Sequence, residues 1–136
     1  MILGVGTDIV DARRIGKSIE RFSDKFTGRI FTKEERTGAA ASGQPRAYFA
    51  KRFAAKEAVY KALSGAEVSG LGWQQVETLS LPNGAPVMTL TGQCKMALEA
   101  LTPDGYKAQI SISLSDEPPY ALAFVIINAV PIKLDN

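Results

Sequence analysis

The chain contains no histidine. That absence excludes Ser-His-Asp and Cys-His catalysis and every histidine-ligated zinc site. Its one cysteine, Cys94, rules out an internal disulfide and a cysteine-based zinc site, and is expected to pack as a small hydrophobe. No apolar run approaches the ~20 residues of a membrane-spanning helix, and the first residues lack the basic, apolar, small-residue order of a secretory signal. A cytoplasmic protein without a membrane partner is the expectation. The net charge is only +2, too little to argue for a nucleic-acid partner by itself. Any metal must be a hard ion held by carboxylate oxygens, with Mg²⁺ the leading candidate. Any general base must be Glu, Asp, Lys or a metal-bound water.

What is present fits one ordinary domain spanning residues 1–136, with 46% hydrophobic and 22% charged residues. The chain is organised around the stretch from Arg46 to Leu63, which holds six alanines, no Gly or Pro and one β-branched residue, and so favours helix. Pro45 suits its start, and Ser64-Gly65 its end. At about 100° per residue Phe49, Phe53, Tyr60 and Leu63 share one side. Arg52 and Lys56 point into the edge of that stripe, Glu57 and Lys61 flank its other edge, and the remaining face is mostly Ala. Charges woven into an apolar stripe admit two readings. One is a core helix with snorkelling stems and a Glu57–Lys61 pair. The other is a carboxylate and several cations aimed at an anionic ligand and its metal.

Ahead of this helix, Ile2–Val10 reads as a strand with Leu3, Val5 and Ile9 on one face and Gly4, Gly6 and Asp8 on the other. The two glycines allow either a close backbone approach or a cleared space around the Asp8 carboxylate. Asp11–Phe22 reads as a helix with Ile15, Ile19 and Phe22 inward and Arg13, Arg14, Lys17 and Arg21 outward, a solvated face or a docking face for an acidic protein. Thr32-Lys-Glu-Glu35 is a capping-box pattern, and Gly38–Gly43 reads as a small-residue loop. Beyond the helix, Val76–Leu81 and Pro86–Leu90 flank Pro82-Asn-Gly84 as a hairpin. Thr91–Leu101 reads as a helix with Met96, Ala97, Leu98 and Leu101 inside. In Ile110–Ser115 apolar residues alternate with serines, and Tyr120–Ile127 is apolar enough to be a strand covered on both faces. The tail from Pro131 is expected to be loose. The order of elements indicates an α+β domain.

Three of these segments together resemble a known family. Gly4-Val-Gly-Thr-Asp8-Ile-Val, Arg52-Phe-Ala-Ala-Lys-Glu57-Ala continuing to Lys61-Ala-Leu63, and Ser111-Ile-Ser-Leu-Ser-Asp116 with Tyr120-Ala-Leu-Ala are similar to the motifs of the short 4′-phosphopantetheinyl transferases, the holo-acyl-carrier-protein synthase family. The resemblance implies a mixed sheet packed on a long central helix. It also implies a homotrimer with active sites between subunits, and Mg²⁺-dependent transfer of the phosphopantetheine arm of coenzyme A to a serine of apo-acyl carrier protein, in fatty acid biosynthesis. Carried over by position, Asp8 and Glu57 would hold the metal and Lys61 would face the pyrophosphate. Arg52, Ser64, Gly65, Pro86 and Ser111 would lie near the coenzyme, and Arg14 and Arg21 would face the acidic carrier protein.

The chain departs from the family pattern in three places. Ser111 stands where many members carry His, Ser64-Gly65-Ala66 replaces a longer glycine run, and Gly84-Ala-Pro86 replaces Gly-Lys-Pro and removes a cation. A non-catalytic module that binds coenzyme A or the carrier protein is therefore the rival reading, ahead of a nucleic-acid binder using Arg13, Arg14, Lys17 and Arg21.

Overall fold

The computed structural model describes residues 1–133. Strand β1 (Ile2–Asp11) leads into helices α1 (Ala12–Phe22), α2 (Asp24–Ile30), α3 (Lys33–Ala41) and the long α4 (Pro45–Ala62). A 3₁₀ turn at Trp73–Gln75, hairpin strands β2 (Val76–Ser80) and β3 (Pro86–Leu90), helix α5 (Gly92–Leu101) and strands β4 (Tyr106–Glu117) and β5 (Tyr120–Pro131) complete it. All pairings are antiparallel, in a three-stranded sheet of order β1-β5-β4 and the separate hairpin β2-β3, rather than in one mixed sheet.

Helix α4 lies across the three-stranded sheet on its alanine face. Ala50, Ala54, Ala58 and Ala62 are buried against Ala121, Ala123, Val125 and Ile127 of β5. Small side chains let the two backbones approach closely, and β1 carries this furthest. A Cβ on Gly4 or Gly6 would overlap the Ala62 or Ala58 carbonyl, respectively. The glycines thus serve helix–sheet contact, not open space around Asp8. Two residues further along the same face, Asp8 meets α4 at its charged edge.

The capping box of α3 forms as the sequence indicates, with Thr32 Oγ1 accepting from Glu35 N and Thr32 N donating to Glu35 Oε1. Three expectations fail, and one element is unforeseen. Gly38–Ala41 is helical, because α3 continues to Ala41 with Gly38 packed against the Tyr48 hydroxyl. Asp24–Ile30 forms a helix that no pattern in the sequence announced. Phe22 and Met96 face outward, 48% and 54% exposed, since α1 and α5 bury only Ile15, Gly16, Cys94 and Ala97. Strand β5 is covered on one face only. Leu122 and Phe124 join Val5 and Ile9 of β1 in an uncovered apolar sheet face, on which Ser111, Ser113 and Ser115 of β4 also lie. The expected loose tail falls partly on residues 134–136, outside the described residues; β5 itself runs to Pro131 and Ile132 N donates to Gly105 O at 2.8 Å.

Candidate active site

Strand β1 and helix α4 bring three of the residues named above to one place. Asp8 faces α4 from β1. Glu57 and Lys61, one turn apart, project from the edge of α4 that borders it. Lys61 Nζ donates to Asp8 Oδ1 at 3.1 Å and to the Thr7 carbonyl at 2.9 Å, so Lys61 pairs with Asp8 rather than with Glu57. Asp8 and Glu57 line a cavity of about 350 Å³ together with Asp11, Arg14, Ser18 and Phe53. Partial burial first, and the neighbouring Asp8 charge second, hold the Glu57 carboxyl above its ordinary range, with Lys61 opposing them.

Helix α1 supplies the basic rim. Asp11 caps it by accepting from Arg13 N at 2.9 Å, and its carboxylate takes the Arg13 guanidinium at 2.8 Å, which lowers the Asp11 carboxyl to about 2. Arg13 is thereby occupied, whereas Arg14 is exposed on the cavity wall. Arg21 sits further along α1, outside the cavity, with its guanidinium 5.1 Å above the Phe22 ring.

The remaining candidates lie apart from the acids. Arg52 is 3% exposed; its Nε donates to the Thr78 carbonyl at 3.3 Å, its Nη2 to Ser80 Oγ at 2.9 Å, and its guanidinium stacks 3.6 Å from the Tyr48 ring. Among the described residues it pairs with no carboxylate. Pro86, opposite Ser80 in the hairpin, is therefore a neighbour of the Arg52 side chain. Ser64 and Gly65 are exposed just past α4. Ser111 is exposed on the uncovered sheet face, the face opposite to Asp8.

Lys56 corrects the picture of several cations aimed at a ligand. It is fully buried and bonds Glu35, the Trp73 carbonyl and the Val76 carbonyl. Sequence reasoning singled out Glu35 only as a cap, because a cap and a buried counter-ion look alike in one dimension. It also missed the aromatic wall. Phe53, in the cavity, stacks on Trp73 with ring centroids 5.3 Å apart, and Phe26 lines the same cavity.

Two carboxylates on rigid elements form a hard-oxygen donor pair, and among the described residues there is no group of three or more His, Cys, Asp or Glu that could hold a metal. Such a pair suits Mg²⁺, which commonly takes one or two carboxylates and completes its shell with water and substrate phosphate oxygens. The mutual repulsion felt by Glu57 and Asp8 is what a bound cation would relieve.

Comparisons with known proteins identify the family that the chain is similar to. Residues 4–125 match the family model of the 4′-phosphopantetheinyl transferase superfamily. A holo-[acyl-carrier-protein] synthase of Xanthobacter autotrophicus is 50% identical over 131 residues, covering 96% of this chain and 97% of that protein. The crystal structure of holo-[acyl-carrier-protein] synthase from Neisseria meningitidis superposes with a TM-score of 0.80 at 37% identity, covering 94% of this chain and 99% of that one. The Helicobacter pylori synthase, solved in complex with coenzyme A, superposes with a TM-score of 0.73 at 28% identity, covering 91% and 99% of the two chains.

Proposed function

The chain belongs to the 4′-phosphopantetheinyl transferase superfamily, and on that premise we propose how its residues divide the work. It transfers the 4′-phosphopantetheine group of coenzyme A to a serine of apo-acyl carrier protein, giving holo-acyl carrier protein and adenosine 3′,5′-bisphosphate. In our reading Asp8 and Glu57 hold one Mg²⁺ against the coenzyme diphosphate. A Mg²⁺ held by these two carboxylates would supply positive charge against the departing phosphate. The exposed Lys61 ammonium adds a second positive charge at the same diphosphate. Phe53 and Phe26 keep one side of the cavity dry, which strengthens these electrostatic contacts. With no histidine in the chain, the serine proton would pass to a carboxylate oxygen of Glu57 or to water.

The observation that carries this reading is the convergence of Asp8 and Glu57 on one cavity whose wall bears Arg14, with Lys61 bonded to Asp8. Arg14 and Arg21 then receive the acidic carrier protein. The coenzyme is spanned by groups that one copy does not gather. Arg52 and Pro86 lie at the β2–β3 hairpin, Ser64 and Gly65 just past the end of α4, and Ser111 on the other face of the sheet. A second and third copy closing over the apolar face of Val5, Ile9, Leu122 and Phe124 would bury it and assemble the site, which supports a homotrimer. Sedimentation of the wild-type chain as a monomer at micromolar concentration would contradict the trimer. No described helix is long and apolar enough to cross a membrane, and the cytoplasm, where both substrates meet, is the compartment this reading requires.

Mass spectrometry of apo-acyl carrier protein after incubation with this chain, coenzyme A and Mg²⁺ tests the assignment. The expected result is a phosphopantetheinyl mass gain on one serine, lost on chelation of the metal. Coenzyme binding without any mass gain, across several carrier proteins, would instead identify a binding module.

A further inference from the structure

Among the described residues strand β2 has a neighbour strand on one side only, yet its other edge is not open. Glu35 Oε2 accepts from Thr78 N at 3.0 Å, Lys56 Nζ donates to the Val76 carbonyl, and Arg52 Nε donates to the Thr78 carbonyl at 3.3 Å. Side chains of α3 and α4 thus occupy the positions a further strand would fill, and they dock the whole hairpin onto the helix that carries Glu57. The Lys56–Glu35 pair, 2.8 Å apart and fully buried on both sides, is the centre of this arrangement. Glu35 Oε1 also accepts from Thr32 N at 2.9 Å, and Lys56 Nζ also donates to the Trp73 carbonyl at 3.0 Å.

Burial of an ion pair is a poor route to stability, since a well-packed apolar pair does as well or better. What the pair provides is direction. Every bond it makes fixes a backbone group at a set distance from α4, and two of those groups lead to the site. The Trp73 ring, carried by the bonded backbone, stacks on Phe53 in the wall of the Asp8–Glu57 cavity. The bonded strand β2 presents Thr78 O and Ser80 Oγ, which aim the Arg52 guanidinium. Lys56 neutralises Glu35, so Arg52 remains a nearly buried cation that pairs with no carboxylate among the described residues.

We infer that Lys56 and Glu35 are positioning residues for the coenzyme side of the reaction, setting the hairpin, Arg52 and the Trp73–Phe53 wall relative to Glu57. The inference rests on the transfer reading above. Among the described residues neither makes a hydrogen bond or ion pair to α1, so carrier-protein docking is expected to be independent of them.

The paired variant Glu35→Gln/Lys56→Met removes both charges and leaves no unmatched buried ion. It is expected to stay folded by circular dichroism, to lose hydrogen-exchange protection at the Thr78 amide, and to raise KM for coenzyme A about 10- to 100-fold with KM for carrier protein within about twofold, the scale expected when a site wall shifts by about 1 Å. If the paired variant does not fold, Lys56→Arg is read in its place. It keeps the charge but cannot set one nitrogen against three acceptors, and the same exchange loss and KM split are expected. Unchanged Thr78 exchange with unchanged coenzyme KM would overturn the inference. So would equal weakening toward both substrates that merely tracks thermal stability. Thr78 exchange is read without turnover, so failure of the transfer reading and failure of the clamp give different results.

Discussion

Lys61 Nζ lies 3.1 Å from Asp8 Oδ1 and ties the end of the central helix to the strand whose Asp8 lines the cavity. The lysine side chain is 55% exposed. Exposed pairs of this kind contribute little to folding, so the contact matters mainly for the charge it brings to the cavity.

Lys61→Ala is therefore expected to separate stability from activity. Urea midpoints should correspond to a loss of at most about 1 kcal/mol, while kcat/KM for coenzyme A falls on the order of 100-fold. A variant that loses both in proportion, or neither, would remove Lys61 from the diphosphate site.

Glu57 sits above its ordinary value of 4.5 because of burial and then Asp8. The folded chain consequently binds that proton more tightly than the unfolded chain, and stability is lost as pH rises from about 4.5 through the folded value. Glu57→Gln carries no such charge. In metal-free buffer it should resist urea better than the wild type at neutral pH, with the difference vanishing below pH 4.5, while transfer drops by at least about 100-fold. If Glu57→Gln is instead less stable than the wild type at neutral pH, the cost of burying the Glu57 charge beside Asp8 is contradicted.

Gly6 faces the Ala58 carbonyl with no room for a Cβ. Gly6→Ala should destabilise the fold by about 1–3 kcal/mol, toward the upper end because the obstacle is backbone rather than a movable side chain. The same change should displace α4, and with it Glu57 relative to Asp8. Equilibrium urea unfolding at wild-type midpoint would show that helix and strand are further apart than described.

Arg14 lines the cavity but makes no ion pair among the described residues. Arg14→Ala should raise KM for the carrier protein about 3- to 30-fold, with the penalty eased at low salt and KM for coenzyme A unchanged, as expected of a charge that steers encounter. An effect confined to coenzyme KM would reassign the residue.

Much of this arrangement is legible in the linear sequence where a local rule acts alone. The Ala-rich run without Gly or Pro marks α4 within one residue at each end, and Pro82-Asn-Gly84 marks the hairpin. Convergence of Asp8 on Glu57 was expected only through family resemblance, because no spacing rule links a strand near the start to a mid-chain helix. The less legible parts are those set by tertiary neighbours. Gly4 and Gly6 fit either a ligand or a helix until the Ala58 and Ala62 carbonyls are seen beside them. Lys56 looks like one more cation until Glu35 closes on it. The apolar run of β5 suggests two covered faces, yet one lies open with Leu122 and Phe124 exposed, because no described element packs on it. Gly38 reads as a loop residue, but it lies within α3, where the Tyr48 hydroxyl fills the space a side chain would need.

The most direct measurement is an anomalous-difference map from crystals grown with coenzyme A and Mn²⁺ in place of Mg²⁺. The account predicts one peak per subunit, about 2.1–2.2 Å from a carboxylate oxygen of Asp8 and of Glu57 and from a diphosphate oxygen. A coenzyme bound with no peak between those two acids, or with the ion held elsewhere, would contradict it.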